Sequence, residues 1–203
     1  MRKVILALCL IPLLGGQSVA QFSGFLTSPR AVPDGGSKLG AYIGIYEDAL
    51  GVLGQYRYGL GGYTDIGFKL GIIDIDNGVN NDAGADLAFD FKYQLLDRSM
   101  RDPIELSLGG VGEFFVMENF NIFSIMFATA GSYPVDLKNG KELEPYARLT
   151  LGMERISNGN DDTDFEIGFN LGAAFDLSKS VDAIAEMQFD DPLAFFLGLN
   201  FDL

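Results

Sequence analysis

The stretch Asp86–Leu95 reads DLAFDFKYQL, and its residues alternate between two faces. One face is apolar throughout and consists of Leu87, Phe89, Phe91, Tyr93 and Leu95. The other face is small or polar and consists of Asp86, Ala88, Asp90, Lys92 and Gln94. Alternation every two residues is the period of a β-strand. The stretch therefore predicts a strand that separates an apolar surface from a polar one.

The same alternation recurs in about ten segments of roughly ten residues each. They lie near residues 38–47, 50–60, 64–73, 85–96, 103–116, 122–134, 142–155, 164–177, 181–189 and 193–203. The connections between them are rich in turn-forming residues, and most are too short for the crossovers of a parallel sheet. We predict an all-β fold over residues 38–203, an antiparallel up-and-down barrel of about ten strands, with a range of about eight to twelve.

Composition excludes several classes of function. Hydrophobic residues make up 48% of the 203 residues and charged residues 21%, which is not the composition of a disordered chain. With 14 basic and 28 acidic residues the net charge is −14, which argues against a nucleic-acid partner. The chain has no histidine, so catalysis by an imidazole base is excluded, and no pattern indicates a cofactor.

The first twenty residues, MRKVILALCLIPLLGGQSVA, have the layout of a secretory signal peptide. Arg2 and Lys3 precede an apolar run that is too short to span a membrane as a helix. We expect cleavage near Ala20, which would also remove Cys9, the only cysteine. Residues 21–37 follow as an irregular lead-in with two prolines, and they would either hang in the periplasm or enter the lumen as a plug.

Alternation alone does not say which face of the strands meets solvent. A soluble lipocalin-like barrel would turn the apolar face inward, whereas an outer-membrane barrel would turn it toward lipid. Glycine and alanine on the polar face suit a crowded, narrow lumen. Aromatic residues recur on the apolar face near one end of alternate strands, as an interfacial girdle requires: Tyr58, Tyr93, Tyr133 and Phe175. The polar connections Asp74–Gly84 and Ser157–Asp164 are the longest and would project from the opposite end.

The last strand alternates up to the final residue. Its apolar positions are Phe195, Leu197, Leu199, Phe201 and Leu203. This pattern resembles the carboxy-terminal assembly signal of Gram-negative outer-membrane β-barrels, although the last residue is leucine and not an aromatic. The resemblance to small outer-membrane barrels implies a monomer in the cell outer membrane, with membrane lipid and the barrel-assembly machinery as partners.

The polar face assigns a set of charged residues to the lumen. The bases are Arg57, Lys69, Lys92 and Arg148. The acids are more numerous: Asp86, Asp90, Glu105, Glu113, Glu144, Glu154, Glu166, Asp176, Asp182 and Glu186. Side chains nearly fill a barrel of about this strand number, so wide diffusion is excluded. These residues predict one of two interiors. Either solvated and partly paired charged side chains fill the narrow barrel, or the lumen forms a narrow passage that prefers cations.

The polar connections offer a weak candidate for divalent cations. Asp74, Asp76, Asp161 and Asp162 have the oxygen ligands that Ca²⁺ prefers, but their spacing lacks the pattern of a calcium-binding loop, and turn formation explains them more simply. The leading hypothesis is therefore a non-enzymatic outer-membrane barrel with a structural role or a narrow, cation-leaning passage. The alternatives are a surface binding module that uses its acidic outer loops and a periplasmic lipocalin-like carrier.

Overall fold

The computed structural model describes residues 24–76, 81–118, 120–157, 161–189 and 193–203. The predicted signal peptide lies outside the described residues. The strands are β1 (Ser37–Tyr46), β2 (Ala49–Gly61), β3 (Thr64–Asp76), β4 (Asn81–Leu96), β5 (Glu105–Met117), β6 (Phe120–Ser132), β7 (Val135–Asp136), β8 (Glu142–Ser157), β9 (Asp161–Ser178), β10 (Val181–Gln188) and β11 (Ala194–Asp202). No described segment forms a helix long and apolar enough to cross a membrane.

The strands form one closed antiparallel barrel. Each long strand pairs with the next long strand in the chain. The two-residue strand β7 lies in the connection from β6 to β8 and pairs with β8. The sheet closes because β6 pairs with β8, and β1 pairs with β11 from Lys38↔Asp202 to Tyr46↔Ala194. The ten-stranded up-and-down barrel predicted from the sequence is thus confirmed. Closure pairs each of the ten long strands on both sides over the described residues, as strands inside lipid require.

The two faces of the barrel differ in the sense expected of a membrane protein. Along β4, the apolar side chain of Phe89 is 53% exposed, whereas Asp90 and Lys92 are fully buried. The pattern continues around the wall, where Ile72 and Phe165 are 64% and 66% exposed. A continuous apolar outer belt suits acyl chains and not water. The lipocalin-like alternative is therefore wrong, because that fold needs its apolar face inside.

The barrel has two rims, which we call the lower rim and the upper rim. The lower rim holds the connections 62–63, 97–104, 133–141 and 179–180, together with the start of β1 and the end of β11. The upper rim holds the connection 47–48 and the opposite ends of the strand pairs β3–β4, β5–β6, β8–β9 and β10–β11.

The expected difference in connection length is wrong. Strands β3 and β4 continue to Asp76 and from Asn81, and β8 and β9 continue to Ser157 and from Asp161, so most of each polar stretch belongs to a hairpin. The longest irregular connections, 97–104 and 133–141, lie on the lower rim instead. The physical reason is that a hairpin beyond the lipid meets water on both faces. It therefore keeps its backbone pairing but loses the alternation on which the prediction depended.

Candidate functional site

The lumen is the candidate site, and its wall carries the charged residues that the alternation assigned to it. Most are almost fully buried: Arg57, Lys69, Asp86, Asp90, Lys92, Glu105, Glu113, Glu144, Arg148, Glu154 and Glu186. Glu166 and Asp182 are half-buried, and Asp176 is exposed. Strand pairing places these side chains on one face because every second residue of each strand points inward.

The lead-in occupies the lumen. Residues 24–36, which we call the plug segment, run from the lower rim into the middle of the barrel. Phe25 and Leu26 are completely buried there. Two readings of the lead-in were open in the sequence, and the structure shows the plug arrangement for these residues.

The wall satisfies the polar backbone groups of the plug segment. Lys92 Nζ donates to the carbonyl oxygens of Ser28 (3.0 Å) and Arg30 (2.6 Å), and Lys69 Nζ donates to that of Gly24. Arg148 Nη2 donates to the carbonyl oxygen of Thr27 at 3.1 Å. An irregular segment has no strand partner, so buried groups of its backbone would cost free energy without these donors.

Further contacts fix the plug segment toward the lower rim. The Val32 amide donates to Asp65 Oδ2 and the Ala31 amide donates to Gln94 Oε1, each at 2.8 Å. Deeper in the lumen, the Tyr42 hydroxyl donates to the carbonyl oxygen of Leu26 at 2.8 Å. Gly59 permits close approach here, because a Cβ atom at that position would overlap the carbonyl oxygen of Pro33.

A first cluster of buried charges is centred on Arg57. Its guanidinium donates to both carboxylate oxygens of Asp90, at 2.7 and 3.1 Å, and also to Asp65. Lys69 lies 3.7 Å from Asp90, and Lys92 lies 3.4 Å from Asp65. Strands β2, β3 and β4 supply these five groups, which are three bases and two acids. We call this set the Arg57 cluster.

A second cluster is centred on Glu186 across the lumen. Arg148 Nη1 lies 2.9 Å from Glu186 Oε1, and the Tyr146 hydroxyl donates to Glu186 Oε2 at 2.6 Å. Asn170 Nδ2 donates to the same carboxylate at 3.2 Å. The Phe25 ring of the plug segment lies between the two clusters. The guanidinium carbons of Arg148 and Arg57 are 5.4 and 5.8 Å from its centroid, a distance that favours a cation–π interaction.

Arg30 joins the plug segment to the lower rim. Its guanidinium donates to both oxygens of Glu142 at 2.6 and 3.1 Å, and Glu105 and Glu144 lie 3.5 and 3.8 Å away. Burial opposes the charge of Arg30, but the carboxylate of Glu142, supported by Glu144 and Glu105, raises its pKa above the ordinary value. A cavity of about 700 Å³ opens beside these residues to the outside of the barrel.

An apolar layer lies above the charged clusters, toward the upper rim. It contains the buried residues Tyr46, Leu53, Ile73, Phe115, Ile122 and Phe196. The rings of Tyr46 and Phe196 meet edge to face with centroids 5.7 Å apart. The lumen is therefore occupied at two levels, by the plug segment and by this layer.

The predicted girdle and assembly positions lie on the outer face. Tyr58, Tyr93 and Tyr133 are exposed near the lower rim, and Phe175 is half-buried there. The assembly positions lie in or just after β11: Phe195, Leu197, Leu199, Phe201 and Leu203. Their side chains are half-buried or exposed on the apolar surface.

The divalent-cation candidates are not brought together. Asp74 and Asp76 lie on β3, whereas Asp161 and Asp162 lie on β9, five strands away around the barrel. Within the described residues, no group of three acidic or cysteine side chains could hold a metal ion. Strand order separates the two pairs, and divalent-cation binding by either pair stays a prediction.

Several residues of the lumen were missed by the sequence reasoning. Asp65 lies in the predicted strand 64–73 and shares the inward register of Gly67 and Lys69, but it was not included among the lumen residues. Lys38 pairs with Asp182 at 3.0 Å near the lower rim. Tyr42 was missed because an aromatic residue on the polar face looks like a break in the alternation.

Comparison with solved structures supports the fold. The β domain of the Bordetella autotransporter BrkA matches with a TM-score of 0.55 at 14% identity, over 84% of this chain and 100% of that chain. An outer membrane channel from Pseudomonas putida F1 matches with a TM-score of 0.45 at 11% identity, over 92% of this chain and 100% of that chain. The KdgM porin has a TM-score of 0.44 at 7% identity, over 82% and 99%.

No protein-family model and no curated protein matches the sequence. At 14% identity, the likeness to the BrkA β domain is one of fold alone. The apolar outer belt, the closed strand order and this likeness together show that the chain is a ten-stranded transmembrane β-barrel of the bacterial outer-membrane type.

Proposed function

We propose that this chain is a non-enzymatic barrel of the cell outer membrane that has a structural role and is closed to diffusion. The observation that carries the proposal is the plug segment. Its carbonyl oxygens accept hydrogen bonds from Lys69, Lys92 and Arg148, three of the bases on the lumen wall. The wall groups that could line a pore are thus engaged in holding it shut.

The apolar layer supports closure together with the plug segment, because Leu26 of the plug segment packs in the same cluster. Phe115 and Ile73 are completely buried between the upper rim and the Arg57 cluster. Asp86 faces the lumen beside Phe115 at this level, so the layer narrows the lumen with packed apolar side chains around a buried carboxyl group.

The chemistry of the lumen supports a non-enzymatic role. The chain lacks histidine, and the buried bases of the two clusters pair with carboxylates or with the plug backbone. A substrate would have to displace these partners before it reached any charged group. Each displaced pair would leave a buried charge, which is costly in a lumen surrounded by lipid.

Recording across a planar bilayer tests the closed barrel. We expect the refolded protein to show no steady conductance at any pH between about 4 and 9, a range that starts near the ordinary pKa of carboxylates and ends below that of lysine. A matched sample unfolded in detergent controls for leakage by misfolded protein. Steady ion current through the unmodified barrel would refute the proposal.

A narrow, cation-leaning passage is the second candidate, and the acid excess of the wall favours it. The passage would open when the plug segment leaves the lumen. Deletion of residues 24–34 should then produce small currents with a reversal potential on the cation side in a salt gradient. A silent deletion variant that is still folded would remove this candidate and leave the structural role.

Export and insertion complete the proposal. We propose that cleavage near Ala20 releases the mature chain and that β11 presents its apolar positions to the assembly machinery. Amino-terminal sequencing of protein from isolated outer membranes would locate the cut. Substitution of Phe201 and Leu203 by serine should lower the amount of folded barrel, while the same change at the buried position Phe196 would report packing instead.

A further inference from the structure

The outer surface of the barrel contains an apolar groove beside β10. Its volume is about 650 Å³, and its lining is almost entirely apolar. Ala183 and Ala185 form its floor, while Phe175 on β9 and Leu197 and Leu199 on β11 form its walls. The alanine methyl groups are smaller than the flanking side chains of Phe175, Leu197 and Leu199. The two alanines therefore leave a depression in the part of the barrel that faces lipid.

Two lysines lie at the lower end of this groove. The ammonium of Lys141 lies 5.2 Å from the centroid of the Phe175 ring and donates to the carbonyl oxygen of Leu177 at 3.1 Å. Lys179 lies in the turn between β9 and β10 and is exposed. Both charges are thus placed where the strands that form the groove leave the membrane.

The acids of the same region face the other way. Asp176, Asp182 and Asp202 occupy the inward register of β9, β10 and β11, and Lys38 on the lumen side lies 3.0 Å from Asp182 and 3.3 Å from Asp202. The outer mouth of the groove is therefore positive on a chain whose net charge is −14.

We propose that this groove binds one anionic phospholipid, with its phosphate on Lys141 and Lys179 and an acyl chain over Ala183 and Ala185. An ammonium near an anionic head group is attractive, and an acyl chain gains contact wherever it fills a depression. The cation–π contact with Phe175 holds Lys141 over the groove before lipid arrives, which lowers the ordering cost of binding.

Charge also decides between lipid and a second copy of the chain. A two-fold interface presents the same patch from both subunits, so Lys141 and Lys179 would face their own copies. Like charges repel across such an interface, whereas a phosphate neutralises them. An anionic lipid is the occupant that fits both the apolar floor and the positive end.

The test is native mass spectrometry of the folded barrel in detergent, titrated with dioleoylphosphatidylglycerol or dioleoylphosphatidylcholine. We expect one phosphatidylglycerol to be retained in preference to phosphatidylcholine. Each of Lys141→Gln and Lys179→Gln should weaken retention about fivefold. Ala185→Phe should also weaken it, because the ring fills the groove.

Matched variants separate the site from general effects. Lys138→Gln removes a charge from the same lower-rim connection without touching the groove, and Ala147→Phe adds a ring to the outer face of β8 outside it. Neither should change retention. Equal retention of the two lipids, equal loss in Lys138→Gln, or full retention in Ala185→Phe would each overturn the proposal, as would a dimer that excludes lipid. These readouts do not depend on whether the barrel conducts.

Discussion

At the scale of single residues, the lumen depends on buried charges that are matched to one another. Arg57 is completely buried and serves both Asp65 and Asp90, which are buried as well. Gly67 makes room for this arrangement, because a Cβ atom there would overlap the Asp90 carboxylate. The inner wall is thus built around charge pairs, and the small residues beside them are part of the same design.

Replacement of Arg57 by methionine should strongly destabilise the barrel. It leaves two buried carboxylates without their main partner, which costs about 3 kcal/mol or more. Urea titration of the protein in lipid vesicles, followed by the heat-dependent gel shift of folded barrels, measures the loss. Lys138→Met, at an exposed position, serves as the control. A loss below about 1 kcal/mol, the value of an exposed pair, would show that the cluster is hydrated and unimportant for stability.

Tryptophan, which the chain lacks, can test which face of the strands meets lipid and which face lines the lumen. Because the sequence contains no tryptophan, Phe89→Trp and Phe115→Trp each introduce a single fluorescent reporter. Brominated lipid should quench the tryptophan at position 89, which is outward, and spare that at position 115, which is completely buried in the lumen. Quenching at both positions, or at 115 alone, would contradict the inside-out arrangement.

At the scale of elements, the sequence predicts the strands well and their connections poorly. Alternation located β4 as 85–96 against the observed Asn81–Leu96, because one face meets lipid and the other meets packed side chains. It failed at Asp76 and Asp161, where strands run beyond the membrane. The irregular lead-in has no period at all, so its place in the lumen follows from tertiary contacts such as Lys92 with Arg30 that no local pattern records.

Neighbouring strands also pack small residues against large ones inside the lumen. A Cβ atom at Gly84 on β4 would overlap the ring of Phe115 on β5. Gly84→Leu should therefore lower the free energy of unfolding, by about 1 to 3 kcal/mol as overpacking does. Phe115→Ala should lower it as well, by leaving a cavity. The double variant should lose less than the sum, because leucine then fills the space, and additive losses in the urea titration would contradict this fit.

At the scale of the whole molecule, the barrel and the plug segment form one interior. Residues from six of the long strands, β1 to β5 and β8, contact the plug segment through hydrogen bonds to its backbone or ion pairs with Arg30. Closure of the wall and occupation of the lumen should consequently stabilise each other.

This coupling can be measured by the access of water-soluble reagents to the plug segment. In Leu26→Cys, with the signal peptide removed, the single thiol lies at a completely buried position and should react slowly with a charged maleimide. Adding Lys92→Met removes the donor to Ser28 and Arg30 and should speed the reaction at least tenfold, since hydrogen bonds to charged groups are worth about 1.5–3 kcal/mol.

The matched control for that experiment is Leu26→Cys with Lys138→Met, which should react as slowly as the single variant. The gel shift must show a folded barrel throughout, so that exposure by unfolding is separated from release of the plug segment. Equal rates in all three proteins would mean that Lys92 does not retain it.

The plug segment precedes β1 directly in the chain, so it is tethered to one of the two strands that close the barrel. The sheet becomes a closed ring only when its first strand meets its last, yet the material inside the ring is attached to that first strand. A short tether keeps the effective concentration of the segment in the millimolar range. The segment can thus enter the lumen through the lower opening after the barrel has closed, because it remains covalently attached to β1.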